Sequence, residues 1–181
     1  MAMNIWIALF RGINVGGASI LPMRDLASIC QKLGFTEVRT YIQSGNVVFH
    51  SPEGLAPHLT KRIGAAVMKS HGFKPNVILI SLDELEKAAS SNPFPEAEKD
   101  PKSLHFFFLA ELPSNPDMER LEQVKSDSEA FVLRGQVFYL HAPDGIGRSK
   151  LAAKAEKLIG VAATARNWRT VRKVLQIAKR P

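Results

Sequence analysis

The chain has 181 residues, 45% of them hydrophobic and 23% charged, and a net charge of +7. That length forms one or two compact domains whose cores need neither disulfide nor metal, and the composition excludes a chain that is disordered throughout. The single cysteine, Cys30, excludes an intrachain disulfide and a cysteine cluster for zinc or iron–sulfur, and no apolar run approaches the roughly 20 residues of a membrane span.

Asn4 to Phe10 is an apolar run read as a buried strand. Met1–Phe10 lacks a basic head and is followed by Arg11 and Gly12, so it reads as strand and not signal peptide, with the cytoplasm as the expected compartment. Pro22–Leu33 has helical spacing in Met23, Leu26, Ile29, Cys30 and Leu33, with Gly34 as its stop. Val38–Gln43 and Val47–His50 flank Ser44-Gly45-Asn46 as a hairpin. Leu55–His71 is a helix stopped by Gly72, and Asn76–Ser81 is a strand. Strand, helix, strand, strand, helix, strand is the split βαβ, or ferredoxin-like, order.

The second half starts again. Ser81–Ser90 is a short helix, with Ser81 and Glu84 spaced as a capping box. Asn92-Pro93-Phe94-Pro95 breaks it, and Leu104–Ala110 is a strongly apolar strand. Asn115–Val124 is a helix, Ala130–Leu133 and Gln136–His141 form a second hairpin around Arg134-Gly135, and Ser149–Ile159 is a helix stopped by Gly160. A last helix spans about Ala165–Ala178. With Thr164 as its cap it carries an apolar stripe of Trp168, Val171, Val174, Leu175 and Ala178, a basic stripe opposite, and Ile177 on the wrong side. The predicted fold is α+β: two ferredoxin-like subdomains from an apparent duplication, residues 1–81 and 82–160, with a C-terminal amphipathic basic helix, 161–181, packed on the rest. The duplication is read from element order, since the residues show no repeat.

Charge is unevenly placed. Ten basic residues from Arg148 onward against Glu156 alone carry +9, leaving −2 on the first 147 residues. Such a field attracts phosphates, nucleic acid or an acidic protein, and it also serves as a solubilising face.

Four segments are candidates for chemistry. Arg11-Gly12-Ile13-Asn14-Val15-Gly16-Gly17 joins the first strand to the first helix. Its glycines allow tight turns whose N–H groups cradle an anion, and Arg11 adds a bidentate donor. It matches neither the dinucleotide nor the phosphate-loop pattern. Gln43, Ser44 and Asn46 gather polar groups at the first hairpin, where turn chemistry alone also accounts for them. In a split βαβ unit with full-length strands, this hairpin is expected at the opposite end from the glycine loop. A joint site then needs residues before the tip, such as Gln43. Arg148, Ser149 and Lys150 open a helix, where Ser149 reads first as an N-cap and an anion site is the alternative. Arg166 and Asn167 begin the last helix, and Arg166 and Arg169, one turn apart, can grip a phosphate together or form a solvated basic face.

The five histidines are scattered without metal spacing, and no cofactor signature or hydrolase elbow is present. Cys30 reads as an inert core thiol.

Several of these segments together carry a resemblance: Arg11–Gly17, Met23 and Leu26, Gly34-Phe35, Thr40–Phe49 (TYIQSGNVVF), Asn92-Pro93-Phe94, Ser149-Lys150-Leu151 and Thr164–Thr170. In that combination the chain resembles the bacterial family called domain of unknown function 1697. The resemblance implies two ferredoxin-like subdomains with a terminal helical part, and no reaction, substrate or cofactor. The expected function is binding of a phosphorylated small molecule or nucleotide at the glycine loop. The alternatives are nucleic-acid binding by the basic helix and a protein-interaction module without catalysis. No general base is evident, so an enzymatic role is left open.

Overall fold

The structure is a computed structural model that describes residues 3–17 and 19–180. Met1 and Ala2, at the head of the first apolar run, lie outside the described residues, as do Ala18 and Pro181. The chain divides into two compact units, one of residues 1–86 with 173–181 and one of residues 87–172.

The first unit contains β1 (Asn4–Arg11), α1 (Met23–Lys32), β2 (Thr36–Tyr41), β3 (Asn46–Ser51), α2 (Ala56–His71) and β4 (Asn76–Ser81). The strands form one antiparallel sheet in the order β2-β3-β1-β4. β1 sits inside it with Trp6 to Phe10 all buried, which is why it reads as an unbroken apolar run. The helices lay Leu26, Ile29, Cys30, Leu59, Ile63 and Val67 against Trp6, Ala8, Phe10, Val47 and Phe49. Each such aliphatic side chain contributes about 1.5–3 kcal/mol by leaving water. Gly72 ends α2 in a left-handed turn, its N–H donating to the Met68 carbonyl at 3.0 Å.

The second unit repeats the plan with β5 (Leu104–Leu109), α4 (Met118–Val124), β6 (Ala130–Arg134), β7 (Val137–His141), α5 (Lys150–Ile159) and β8 (Ala163–Asn167). Its antiparallel sheet has the order β6-β7-β5-β8, the same pattern as the first. Phe107, Leu109, Phe138 and Leu140 pack with Leu121, Leu151, Ala155 and Ile159. Every residue of β5 is buried. Before it, α3 (Leu82–Ser90) leads to a 3-10 helix at Pro95–Lys99.

One predicted element is corrected. Residues 163–167 are strand β8, not the head of the last helix, and α6 is Trp168–Ala178. The segment pairs along β5 from Leu109↔Ala163 to His105↔Asn167. That pairing overrides the helical preference of its alanines, and it completes the second split βαβ unit. Thr164 therefore does not cap a helix: it lies in the strand and accepts a hydrogen bond from Arg166 Nη1 at 3.0 Å. In α6, Trp168, Val171, Val174 and Ala178 are buried as the stripe predicts, and Ile177 is buried with them. The end of α6 is closed by Arg39, whose Nη1 donates to the Ile177 and Arg180 carbonyls at 3.3 and 3.2 Å.

Candidate anion site

The expectation that the glycine loop and the first hairpin lie at opposite ends is corrected by the sheet. β1 runs antiparallel to β3 with Leu9 opposite Asn46, so the exit of β1 and the entrance of β3 share one end of the sheet. Phe10 N–H donates to the Gly45 carbonyl at 2.8 Å. A Cβ on Gly45 would lie 2.6 Å from both Phe10 Cβ and Ile13 Cδ1, so only glycine admits this approach.

Asn14 joins the two segments. Its Nδ2 donates to the carbonyls of Leu21 at 2.9 Å and Gln43 at 3.0 Å, and its Oδ1 accepts from Leu21 N–H at 2.8 Å. Its backbone, at φ 57, donates to the Ser19 carbonyl at 3.2 Å. Asn46 does similar work beneath the hairpin: it is buried, and its Nδ2 donates to the Tyr41 carbonyl and to Ser44 Oγ at 2.9 and 3.3 Å. Both asparagines spend their carboxamides on the framework.

Left-handed backbone is concentrated here. Gly12, Gly16, Gly17 and Gly45 have positive φ, and so do Asn14, Ser19 and Ile42, three of the four such non-glycine residues described. Ile42 is the strained one, since a β-branched side chain at φ 49 costs about 1–3 kcal/mol. Arg11, Gly12, Gly16, Gly17, Gln43 and Ser44 are exposed around this stapled base. Among the described residues, the amides of Gly12, Gly16 and Gly17 have no backbone partner in the loop.

The remaining predicted residues belong to the second unit. Ser149 caps α5, its Oγ accepting from Ala152 N–H at 2.8 Å, and Lys150 is exposed in the first turn. Asn167 caps α6, its Oδ1 accepting from Thr170 N–H at 3.0 Å. Arg166 is on β8 and buried, with Nη1 on Thr164 Oγ1 and on the Ala165 carbonyl at 2.8 Å. Burial pushes its guanidinium down to about 10. The expected grip of Arg166 with Arg169, one helical turn apart, is thus corrected, because one lies in a strand and the other in a helix.

Sequence reasoning missed a second polar cluster, at the other end of the first sheet. Glu53 pairs with Arg62 Nη1 at 2.8 Å and with His58 Nδ1, while Arg62 Nη2 donates to the Leu33 carbonyl at 2.6 Å. The guanidinium lies 5.3 Å from the Phe35 ring centre, beside a cavity of about 330 Å³. The Arg62 hydrogen bond holds the Glu53 carboxyl below its ordinary range. Both oxygens of Glu53 are engaged, so the cluster reads as a clamp between β3 and α2. Its members are nine residues apart in sequence, which left no motif to find. Among the described residues no group of three His, Cys, Asp or Glu side chains can hold a metal, and no helix is long and apolar enough to cross a membrane.

Two split βαβ units with one stapled loop define a duplicated ferredoxin-like α+β protein. Residues 3–139 match the family model described as "Protein of unknown function (DUF1697)", and the chain belongs to that family. The match ends before Ser149-Lys150-Leu151 and Thr164–Thr170. The fold is similar to that of the conserved bacterial protein SP0830 from Streptococcus pneumoniae, with a TM-score of 0.72 and 23% identity, over 98% of this chain and 100% of that one. Comparison with curated proteins gave no match.

Proposed function

We propose that the chain binds a phosphorylated small molecule or nucleotide at the loop between β1 and α1. The observation that carries this reading is the Asn14 staple, which closes the glycine loop on itself with two side-chain hydrogen bonds to Leu21 and ties it to the first hairpin with a third, to the Gln43 carbonyl. It anchors the loop at Asn14, Leu21 and Gln43, which lowers the ordering entropy that opposes binding. The exposed left-handed glycines Gly12, Gly16 and Gly17 present backbone N–H groups of the kind that donate to phosphate oxygens. Arg11, exposed at the end of β1, supplies the positive charge. Asn14 and Asn46 are positioning residues in this scheme. The loop holds no general base, which favours binding over catalysis.

Thermal shift of the full chain against nucleotides, sugar phosphates and pyrophosphate tests the reading. At 100 times Kd a ligand adds about 2.7 kcal/mol of stability, an easily read rise in Tm. Arg11→Ala should abolish that rise. A broad panel without any shift overturns the proposal.

A second reading is phosphate-backbone binding by α6, favoured by the exposure of Arg169 and Arg172. Lys179, by contrast, is paired with Glu86 at 2.6 Å. Retardation of mixed RNA and DNA at low salt, lost steeply as salt rises, is its expected signature. No retardation at low salt refutes it.

A further inference from the structure

We propose that the ligand of this loop is a phosphate ester with an apolar or planar body, a nucleoside or aryl phosphate, seated on a collar of Val15, Ile20 and Ile42. The inference rests on the anion-binding reading above and narrows it. Asn14 draws Leu21 and Gln43 to its own side chain. Each of these three residues has an exposed apolar neighbour in the chain: Val15 after Asn14, Ile20 before Leu21 and Ile42 before Gln43. Val15 and Ile20 are each 61% exposed and Ile42 is 48% exposed. They are three of the eight exposed large hydrophobic residues described, and each is the chain neighbour of a member of one hydrogen-bonded trio.

Ile42 combines an exposed side chain with a left-handed backbone at φ 49, a place that glycine or asparagine fills with less strain. Strain at Ile42 beside exposed apolar side chains supports reading this place as a binding surface. Its size selects the partner. Three aliphatic side chains offer far less than the roughly 800 Å² that each protein contributes to a stable interface, and they match the face of a nucleobase or aryl ring. An apolar lining with a few polar anchors is the usual make-up of a small-molecule site. Inorganic phosphate and sugar phosphates have no apolar face to bury on the collar.

Calorimetry and thermal shift of the full chain with tripolyphosphate, ribose 5-phosphate and ATP test the collar. ATP should bind about tenfold tighter than tripolyphosphate, the difference one apolar contact surface supplies. Ile42→Asn should raise the Tm of the unliganded protein, weaken ATP by about five- to tenfold and leave tripolyphosphate unchanged. Val15→Ser, at a solvent-exposed position, should weaken ATP alone in the same way and serves if Ile42→Asn does not fold. Equal affinity for ATP and tripolyphosphate, or variants that weaken both alike, overturns the collar and leaves the anion site standing. Failure of all three compounds to bind overturns the anion reading and the collar with it.

Discussion

Removing the Asn14 carboxamide is the sharpest perturbation of the stapled loop. Asn14→Ala deletes three hydrogen bonds, each worth about 0.5–1.5 kcal/mol net, and strands the N–H and carbonyl of buried Leu21. Alanine must also hold a left-handed backbone at φ 57, which adds about 1 kcal/mol relative to glycine. The total is about 3–5 kcal/mol. Asn14→Gly removes the same bonds without the backbone penalty and should be about 1 kcal/mol less damaging. Asn14→Asp keeps an acceptor for Leu21 N–H but sets a carboxylate against the Leu21 and Gln43 carbonyls, so it should be no better than alanine. Urea denaturation followed by circular dichroism reads these differences as midpoints at constant slope. A loss below about 1 kcal/mol for Asn14→Ala refutes the claim that these bonds hold the loop.

Gly45→Ala should destabilise the first unit by about 2–4 kcal/mol, because its Cβ meets Phe10 and Ile13 at 2.6 Å and its φ is +79. Gly135→Ala, at φ +54 with open space around it, should cost only about 1 kcal/mol, and equal losses in thermal melts would contradict the packing argument. Burial lowers the His105 pKa, so the unfolded chain takes up its proton first. Stability tied to His105 is therefore full above about pH 6.5 and falls as pH drops towards the folded value, and His105→Gln should flatten that limb of a stability–pH curve. Glu53 acts in a lower window: its depressed carboxyl favours the fold above about pH 4.5 and that contribution is lost on further acidification, so Glu53→Gln should flatten only the acid end. Burial pushes the Cys30 thiol up to about 12, so a disulfide reagent at pH 8 should label it only after urea unfolding. Rapid labelling of the folded protein would contradict its burial.

The sheets and most helices were legible because their apolar spacing matches the period of each element. β1 and β5 announce themselves as unbroken apolar runs, and α2 by its buried Leu59, Ile63 and Val67. β8 was not legible, because Ala-Thr-Ala-Arg-Asn has no local strand signal and takes its form from pairing with β5. The same pairing buries Arg166, which in a helix would have been a surface residue. At the candidate site the glycines were readable as turns. The role of Asn14 was not, since its partners Leu21 and Gln43 are seven and 29 residues away. Nor does anything near Ile42 forecast a left-handed isoleucine.

Backbone amide NMR of the full chain during titration with tripolyphosphate addresses the anion loop itself. The amide signals of Gly12, Gly16 and Gly17 should move together and saturate, with those of Lys150 and Arg169 unchanged. Signals that stay still in the glycine loop while others shift would place the anion elsewhere and contradict the account.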